Sequence, residues 1–163
     1  MQIGVVSDTH NNLSNIDKII SLFNREKVST VIHTGDIANA NSLAKFSKLD
    51  SKLIGVYGNN DRNEIGIKEI AQNNNFLFQE PPNVLSLYSK DIAIFHEPDS
   101  IDDFLLQNKN IDVVIHGHTH RYRNEVKNRV LIFNPGESAG MQKGNNAIGI
   151  LDLKTLKAKR IFF

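Results

Sequence analysis

The chain has 163 residues, 40% of them apolar, and its 19 basic and 18 acidic residues leave a formal net charge of +1. This length predicts one domain spanning residues 1–163, and the balanced charge gives no field that would attract nucleic acid or an anionic membrane surface. No cysteine is present, which excludes disulfides and thiolate metal sites.

The N-terminal residues run directly into a predicted strand, without the basic segment, apolar stretch and cleavage site of a signal peptide. No apolar run approaches the ~20 residues that cross a bilayer. We therefore expect a cytoplasmic protein with no membrane association. The sequence leaves the oligomeric state open, a homo-oligomer included.

The first half of the chain alternates strands and helices. Apolar runs predict strands over 2–6, 30–33 and 52–57, and helical spacing of apolar residues predicts helices over 13–23 and 41–48. Another helix is expected to begin at Asp61, because Glu64 three residues later completes a capping-box pattern. This order implies parallel strands joined by right-handed crossovers.

The second half is rich in strands. The pattern predicts hairpins over 84–95 and 122–133, a helix over 101–108, a strand over 113–115 and a closing pair over 147–162. Two sheets packed face to face, with helices outside, would accommodate this many strands.

Short polar motifs follow five of the apolar runs. They are Asp8-Thr9-His10, Gly35-Asp36, Gly58-Asn59-Asn60-Asp61, His96 and Gly117-His118-Thr119-His120. Ligands in open α/β sheets gather at the carboxyl ends of the strands, so one site is expected to collect these side chains. Alternation along an extended segment would place residues 8 and 10, and residues 118 and 120, on the same side.

The mixture of carboxylate, amide and imidazole groups suits Mn²⁺, Fe, Ni²⁺ or Zn²⁺. Seven such groups are too many and too varied for one ion, so the sequence predicts two. The predicted ligands are Asp8, His10, Asp36, Asn59, His96, His118 and His120.

In this order, and at intervals of 28, 23, 37 and 22 residues from Asp8 to His118, the motifs resemble those of the calcineurin-like metallophosphoesterases. The match is closest to their small single-domain branch, the YfcE-type phosphodiesterases. The resemblance implies a four-layer αββα sandwich and two divalent ions, with Mn²⁺ expected and Ni²⁺, Fe, Zn²⁺ or Mg²⁺ as alternatives. It also assigns Asp8, His10, Asp36 and His120 to the first ion and Asp36, Asn59, His96 and His118 to the second, with Asp36 bridging.

The resemblance further implies hydrolysis of a small phosphate diester. Two ions roughly 3.5 Å apart would hold a bridging hydroxide for in-line attack on phosphorus and stabilise the growing charge. Two alternatives remain: a phosphomonoesterase or nucleotidase, and a catalytically weak scaffold of the retromer-subunit type. A nuclease is not favoured, because no basic stripe or aromatic platform suggests nucleic acid.

The three residues that directly follow Asn59 are further catalytic candidates. Asn60 stands where many larger relatives carry a histidine that protonates the leaving group, so we expect a preference for activated leaving groups. Asp61 is either a supporting residue of the site or a helix cap. Arg62 either counters the charge of Glu97, which also departs from the branch pattern, or lies on the surface.

Four other polar residues are given no catalytic role by the sequence. His33 and His116 are expected inside strands, as hydrogen-bonded core histidines. Asn134 and Glu137 are expected in a loop near the rim of the site, with no role assigned.

Overall fold

The computed structural model describes residues 1–163, which form eleven strands, four α-helices and one short 3₁₀ helix. In chain order they are β1 (Gln2–Val6), α1 (Leu13–Glu26), β2 (Thr30–His33), α2 (Ala40–Lys45), the 3₁₀ helix (Phe46–Lys48), β3 (Lys52–Val56), α3 (Ile67–Asn73), β4 (Leu77–Gln79), β5 (Asn83–Leu87), β6 (Lys90–Ile94), α4 (Ile101–Gln107), β7 (Val113–Ile115), β8 (Arg123–Lys127), β9 (Val130–Asn134), β10 (Ala147–Asp152) and β11 (Lys157–Phe162).

The strands form two mixed sheets. The first has the order β11-β10-β1-β2-β3-β4, and the second has the order β5-β6-β7-β9-β8. Strands β1 to β4 are parallel to one another in the first sheet, and β6, β7 and β9 are parallel in the second. Each sheet therefore has a block of strands whose carboxyl ends share one edge.

Alternation of side chains along the strands produces the layers. Ile3 and Val5 point between the sheets, where they join residues such as Ile94 and Ile115 in an apolar core. The opposite face of the first sheet packs against α1, α2 and α3. The outer face of the second sheet packs against α4. The four-layer αββα sandwich predicted from the sequence is confirmed.

Helix α1 shows how the sequence fixes an element. The Asn12 side chain caps it by accepting the N–H of Asn15 at 3.1 Å, and its buried face presents residues such as Ile16 and Phe23 to the first sheet. A Cβ at Gly4 of β1 would overlap the Phe23 ring, so glycine is required where the helix approaches the strand.

The structure corrects two expectations. The helix predicted to begin at Asp61 begins instead at Ile67. Gly66, directly before it, has a left-handed backbone with a φ of 84°. Strand β4 was not predicted because it has three residues and an exposed leucine. None of the helices has the length and apolar character needed to span a lipid bilayer.

Candidate metal centre

All seven predicted ligand residues lie just beyond the carboxyl ends of five parallel strands: β1, β2, β3, β6 and β7. Backbone hydrogen bonds join the loops that carry them. The Asp8 N–H donates to the Gly35 carbonyl at 3.1 Å, and the His10 N–H donates to the Asp36 carbonyl at 2.9 Å. In the second sheet, the Gly117 N–H donates to the His96 carbonyl at 3.0 Å. Main-chain hydrogen bonds therefore join neighbouring site loops within each sheet.

Five of these ligand residues have a left-handed backbone. They are Asp8 (φ 52°), His10 (φ 46°), Asp36 (φ 57°), His118 (φ 66°) and His120 (φ 55°). The expectation that residues 8 and 10, and 118 and 120, alternate along extended segments is therefore wrong. Left-handed conformations are costly for residues with a Cβ and persist only where surrounding contacts impose them.

For Asp36, the carboxylate of Asp61 supplies that constraint. It accepts the backbone N–H groups of Asp36, Ile37, Ala38 and Gly58, each at 2.8 Å, and it is fully buried. Asp61 therefore fixes the loop after β2, which carries Asp36, to the loop after β3. A Cβ at Gly58 would overlap the Asp36 carboxylate, so this close approach also needs a glycine.

One group of ligand atoms comes from Asp8, His10 and His120, whose candidate atoms all lie within 4.8 Å of one another. Nε2 of His120 is 3.7 Å from Oδ1 of Asp8. Nε2 of His10 is buried and has no hydrogen-bond partner. Buried polar atoms are nearly always paired, so an orphaned imidazole nitrogen beside a carboxylate fits a metal ligand.

A second group comes from Asp8, Asp36 and His96, again within 4.8 Å. Nε2 of His96 lies 2.9 Å from Oδ1 of Asn59, 3.3 Å from Nδ1 of His118 and 3.4 Å from Oδ1 of Asp36. On the other side of the ring, the Nδ1–H of His96 donates to the Thr34 carbonyl at 2.8 Å. This bond fixes the tautomer and turns Nε2 toward the site, as in many metal-binding histidines.

The two groups share Asp8. The structure therefore brings all seven residues to one place, but it presents Asp8, rather than Asp36, as the carboxylate common to both clusters. The bridging role of Asp36 stays a prediction. Oxygen and imidazole donors of this kind fit the divalent ions Mn²⁺, Fe²⁺, Ni²⁺ and Zn²⁺.

Burial affects the pKa values of the ionisable side chains in the site. Burial raises the pKa of the Asp8 carboxyl above its usual range, against an opposing hydrogen bond from Ser7. Burial acts the same way on Asp36, but hydrogen bonds from His96 and Asn60 outweigh it and hold the pKa of that carboxyl below its usual range. For His96, burial acts to lower the pKa and the neighbouring Asp36 carboxylate raises it above the usual value. The Asp36 carboxylate therefore favours a proton on His96, and Nε2 can bind a divalent ion only after that proton has left.

The three further candidates have different surroundings. Asn60 donates to Asp36 twice, from its backbone N–H at 3.0 Å and from Nδ2 at 2.7 Å. Asp61 is a supporting residue and does not cap a helix. Arg62 makes no hydrogen bond to any of the seven ligands; its Nε lies 3.6 Å from the Glu80 carboxylate at the exposed surface.

His33 connects the loop after β1 with the loop after β2 through hydrogen bonds. Its Nδ1 accepts the Gly35 N–H at 3.1 Å, so its Nε2–H donates to Oγ1 of Thr9 at 3.0 Å. It is fully buried at the end of β2, which confirms its predicted core role. His116 is also buried, but it follows β7 rather than lying in it, and burial lowers its pKa to about 4.

The end of β9 and the loop after it supply supports that the sequence did not assign; Asn134, expected in a loop, is the last residue of β9. Nδ2 of Asn134 donates to the Gly117 carbonyl at 3.2 Å and to Oγ1 of Thr119 at 3.3 Å, bracing the loop that carries His118 and His120. Glu137 is buried, and its Oε2 lies 3.8 Å from Nδ1 of His120. The sequence carried a signal for these supports, because the loop after β9 leaves a strand that is parallel and adjacent to β7, at the same edge of the sheet.

Comparisons with known proteins agree with this geometry. The profile of the calcineurin-like phosphoesterase superfamily domain matches residues 1–156. Phosphodiesterase MJ0936 of Methanocaldococcus jannaschii is 37% identical over 168 residues, covering 99% of this chain and 98% of that protein.

Solved structures show the same fold. A novel archaeal phosphodiesterase superposes with a TM-score of 0.91 at 36% identity, with 100% of both chains covered. The YfcE phosphoesterase of E. coli has a TM-score of 0.68 at 20% identity, covering 99% of this chain and 98% of that one. Zn²⁺-complexed Vps29 of Entamoeba histolytica has a TM-score of 0.70 at 16% identity and 99% coverage of each chain. The last two likenesses concern the fold alone.

We predict that Asp61→Asn destabilises the protein by about 2–4 kcal/mol, because an amide group cannot accept all four backbone N–H groups and leaves buried donors unpaired. Urea unfolding of the metal-free protein measures this loss. The matched control is Asp50→Asn, at an exposed loop position, which we expect to change stability by under ~0.5 kcal/mol. Equal stability of the two variants would contradict the constraint assigned to Asp61.

A second prediction concerns acid. Burial lowers the pKa of His33 from 6.5 to about 3, so the folded protein keeps this imidazole neutral while the unfolded chain protonates it. This contribution to stability is complete above pH 6.5 and is lost as the pH falls toward 3, at up to about 1.4 kcal/mol per pH unit. In His33→Gln, the free energy of unfolding should fall less steeply between pH 7 and pH 5. Urea unfolding of metal-free protein at each pH tests this, and parallel slopes would refute it.

Proposed function

The chain belongs to the calcineurin-like phosphoesterase superfamily, and from that premise we propose that it is a metal-dependent phosphodiesterase acting on a small phosphate diester. One observation carries the proposal: seven side chains of ligand type converge from five strand ends, with an unpaired buried nitrogen on His10 among them. The 37% identical relative that is named a phosphodiesterase supports the choice of diester.

Two divalent ions held by these residues, Mn²⁺ by preference and Ni²⁺, Fe, Zn²⁺ or Mg²⁺ otherwise, would supply an activated water and neutralise charge on the phosphoryl group. The protein's own contribution is positioning. Its left-handed loops, the Asp61 brace and the Thr34 carbonyl orient the ligands before substrate arrives. Water is the nucleophile, so no catalytic serine or cysteine is required.

Asn60 acts in this scheme as a positioning residue for Asp36. Both of its donated hydrogen bonds go to that carboxylate, and an amide has no proton to give at neutral pH. The leaving group therefore receives no proton from this position. Arg62 is ion-paired at the surface with Glu80, so we assign it no part in the reaction.

The alternatives differ in what they require of the site. A phosphomonoesterase or nucleotidase would use the same ligands, so only a substrate panel separates it from a diesterase. A scaffold has no need of ligand side chains or of the strained loops that hold them. Retention of all seven ligand residues therefore favours an enzyme. The cytoplasmic location and the absence of membrane and nucleic-acid partners stay predictions, and the oligomeric state stays open.

We predict that purified protein loaded with Mn²⁺ hydrolyses bis-(4-nitrophenyl) phosphate. Asp36→Ala should lower kcat by more than ~10²-fold, because losing a metal ligand reduces activity more than losing a residue that only hydrogen-bonds to a ligand. Mass spectrometric metal analysis should show that both ions are lost together. The matched control is Asp102→Ala, an exposed carboxylate paired with Lys127. Full activity of Asp36→Ala would contradict its bridging role. An inactive, metal-free wild type would favour a scaffold.

We further predict a steep dependence of turnover on the leaving group. Aryl diesters with acidic phenols should be hydrolysed at least ~10²-fold faster than matched alkyl diesters, because Asn60 cannot protonate the poor alkoxide leaving group. The kcat values of a series of diesters, plotted against the leaving-group pKa, measure the slope. A slope near zero, with chemistry rate-limiting, would show that a proton donor operates here after all.

A further inference from the structure

Glu137 is a buried carboxylate beside the metal centre. Its side chain has 0% exposure, and the His120 ring is the only basic side chain within 4.0 Å of its oxygens. Glutamate is almost never fully buried unless it is paired, because removing its charge from water is costly. Its position therefore calls for an explanation beyond filling space.

The loop fixes the carboxylate in place. Oε1 accepts the Gln142 N–H at 2.6 Å and Oε2 accepts the Met141 N–H at 3.2 Å. The same loop is tied to α1, because Nδ2 of Asn15 donates to the Ser138 carbonyl at 2.9 Å. Backbone N–H groups of the loop therefore fix both carboxylate oxygens of Glu137 in position.

The fixed carboxylate faces one nitrogen of a predicted ligand. Oε2 of Glu137 is 3.8 Å from Nδ1 of His120, while Nε2 of the same ring is 3.7 Å from Oδ1 of Asp8. A neutral imidazole carries its proton on one nitrogen only. A carboxylate facing Nδ1 favours the proton there and leaves the Nε2 lone pair directed at Asp8.

We propose that Glu137 is the positioning residue of His120: it selects the tautomer and orientation in which Nε2 binds a divalent ion. His96 provides an internal parallel, because its Nδ1–H is held by the Thr34 carbonyl and its Nε2 faces the site. A carboxylate partner makes an imidazole a stronger ligand than a carbonyl does. The ion held by His120 is therefore bound more tightly because of Glu137.

This inference rests on the metal centre of the proposed function, and binding measurements test it without any assay of turnover. Metal-free protein is titrated with Mn²⁺ by calorimetry in four forms: wild type, Glu137→Gln, His120→Ala and the double variant. Glutamine keeps the size of the side chain but removes the charge. We expect Glu137→Gln to weaken one of the two Mn²⁺ sites by ~10–100-fold and to leave the other unchanged.

The double variant separates positioning from a purely structural role. If Glu137 acts through His120, Glu137→Gln should cause no further loss of Mn²⁺ affinity in the His120→Ala background. If it only holds the loop, the loss should be the same in both backgrounds, and that result would overturn the proposal. Glu125→Gln, at an exposed position of β8, is the matched charge control and should bind Mn²⁺ as the wild type does.

Two further outcomes are decisive. Mn²⁺ uptake by Glu137→Gln that matches the wild type at both sites would overturn this inference alone. Wild-type protein that takes up no Mn²⁺ would overturn the proposed function and this inference with it. The two failures are therefore distinguishable in one set of titrations.

Discussion

The metal centre depends on the way in which the Asp61 carboxylate gathers four backbone N–H groups. These bonds hold the loops after β2 and β3 together and keep Asp36 in a left-handed conformation that it would not adopt alone. Backbone N–H groups turned toward one carboxylate are satisfied without a helix or strand, so the loops are ordered although they are irregular. The geometry of the site is therefore set by main-chain bonding before any ion is considered.

The sandwich explains why so many ligands meet. Two sheets, each with a block of parallel strands, present their carboxyl ends along one rim of the apolar core. One or two ligand residues follow each of these strands. Further polar groups fix the loops by hydrogen bonds: His33 bonds to Thr9, the Thr34 carbonyl to His96, and Asn134 to the loop that carries the last two histidines. Rigid strands with polar loops give both stability and precision at the site.

Sequence reasoning succeeded where the signal was local. Apolar runs marked the central strands, and the polar motifs directly after them marked the ligands, because a parallel strand and the loop that leaves it are adjacent in the chain. It misplaced a helix start at Asp61, where a capping pattern competed with bonds to residues 23 to 25 positions away along the chain. The left-handed backbone of Asp8 and His10 and the burial of Glu137 also depend on contacts between distant segments, which no local pattern reveals.

The pairing of β1 with β10 has a consequence for how the molecule acquires its native state. Gln2 lies opposite Asp152, so β1, which pairs with the nearby β2 on one side, receives its second neighbour only from the far part of the chain. Such distant pairings pay a large loop-closure entropy and slow the search for the native topology. Asp8 and His120 follow strands of different sheets, so the ligand group that they form with His10 is assembled only once the two sheets have packed together. Binding of an ion by this group would then follow folding rather than nucleate it.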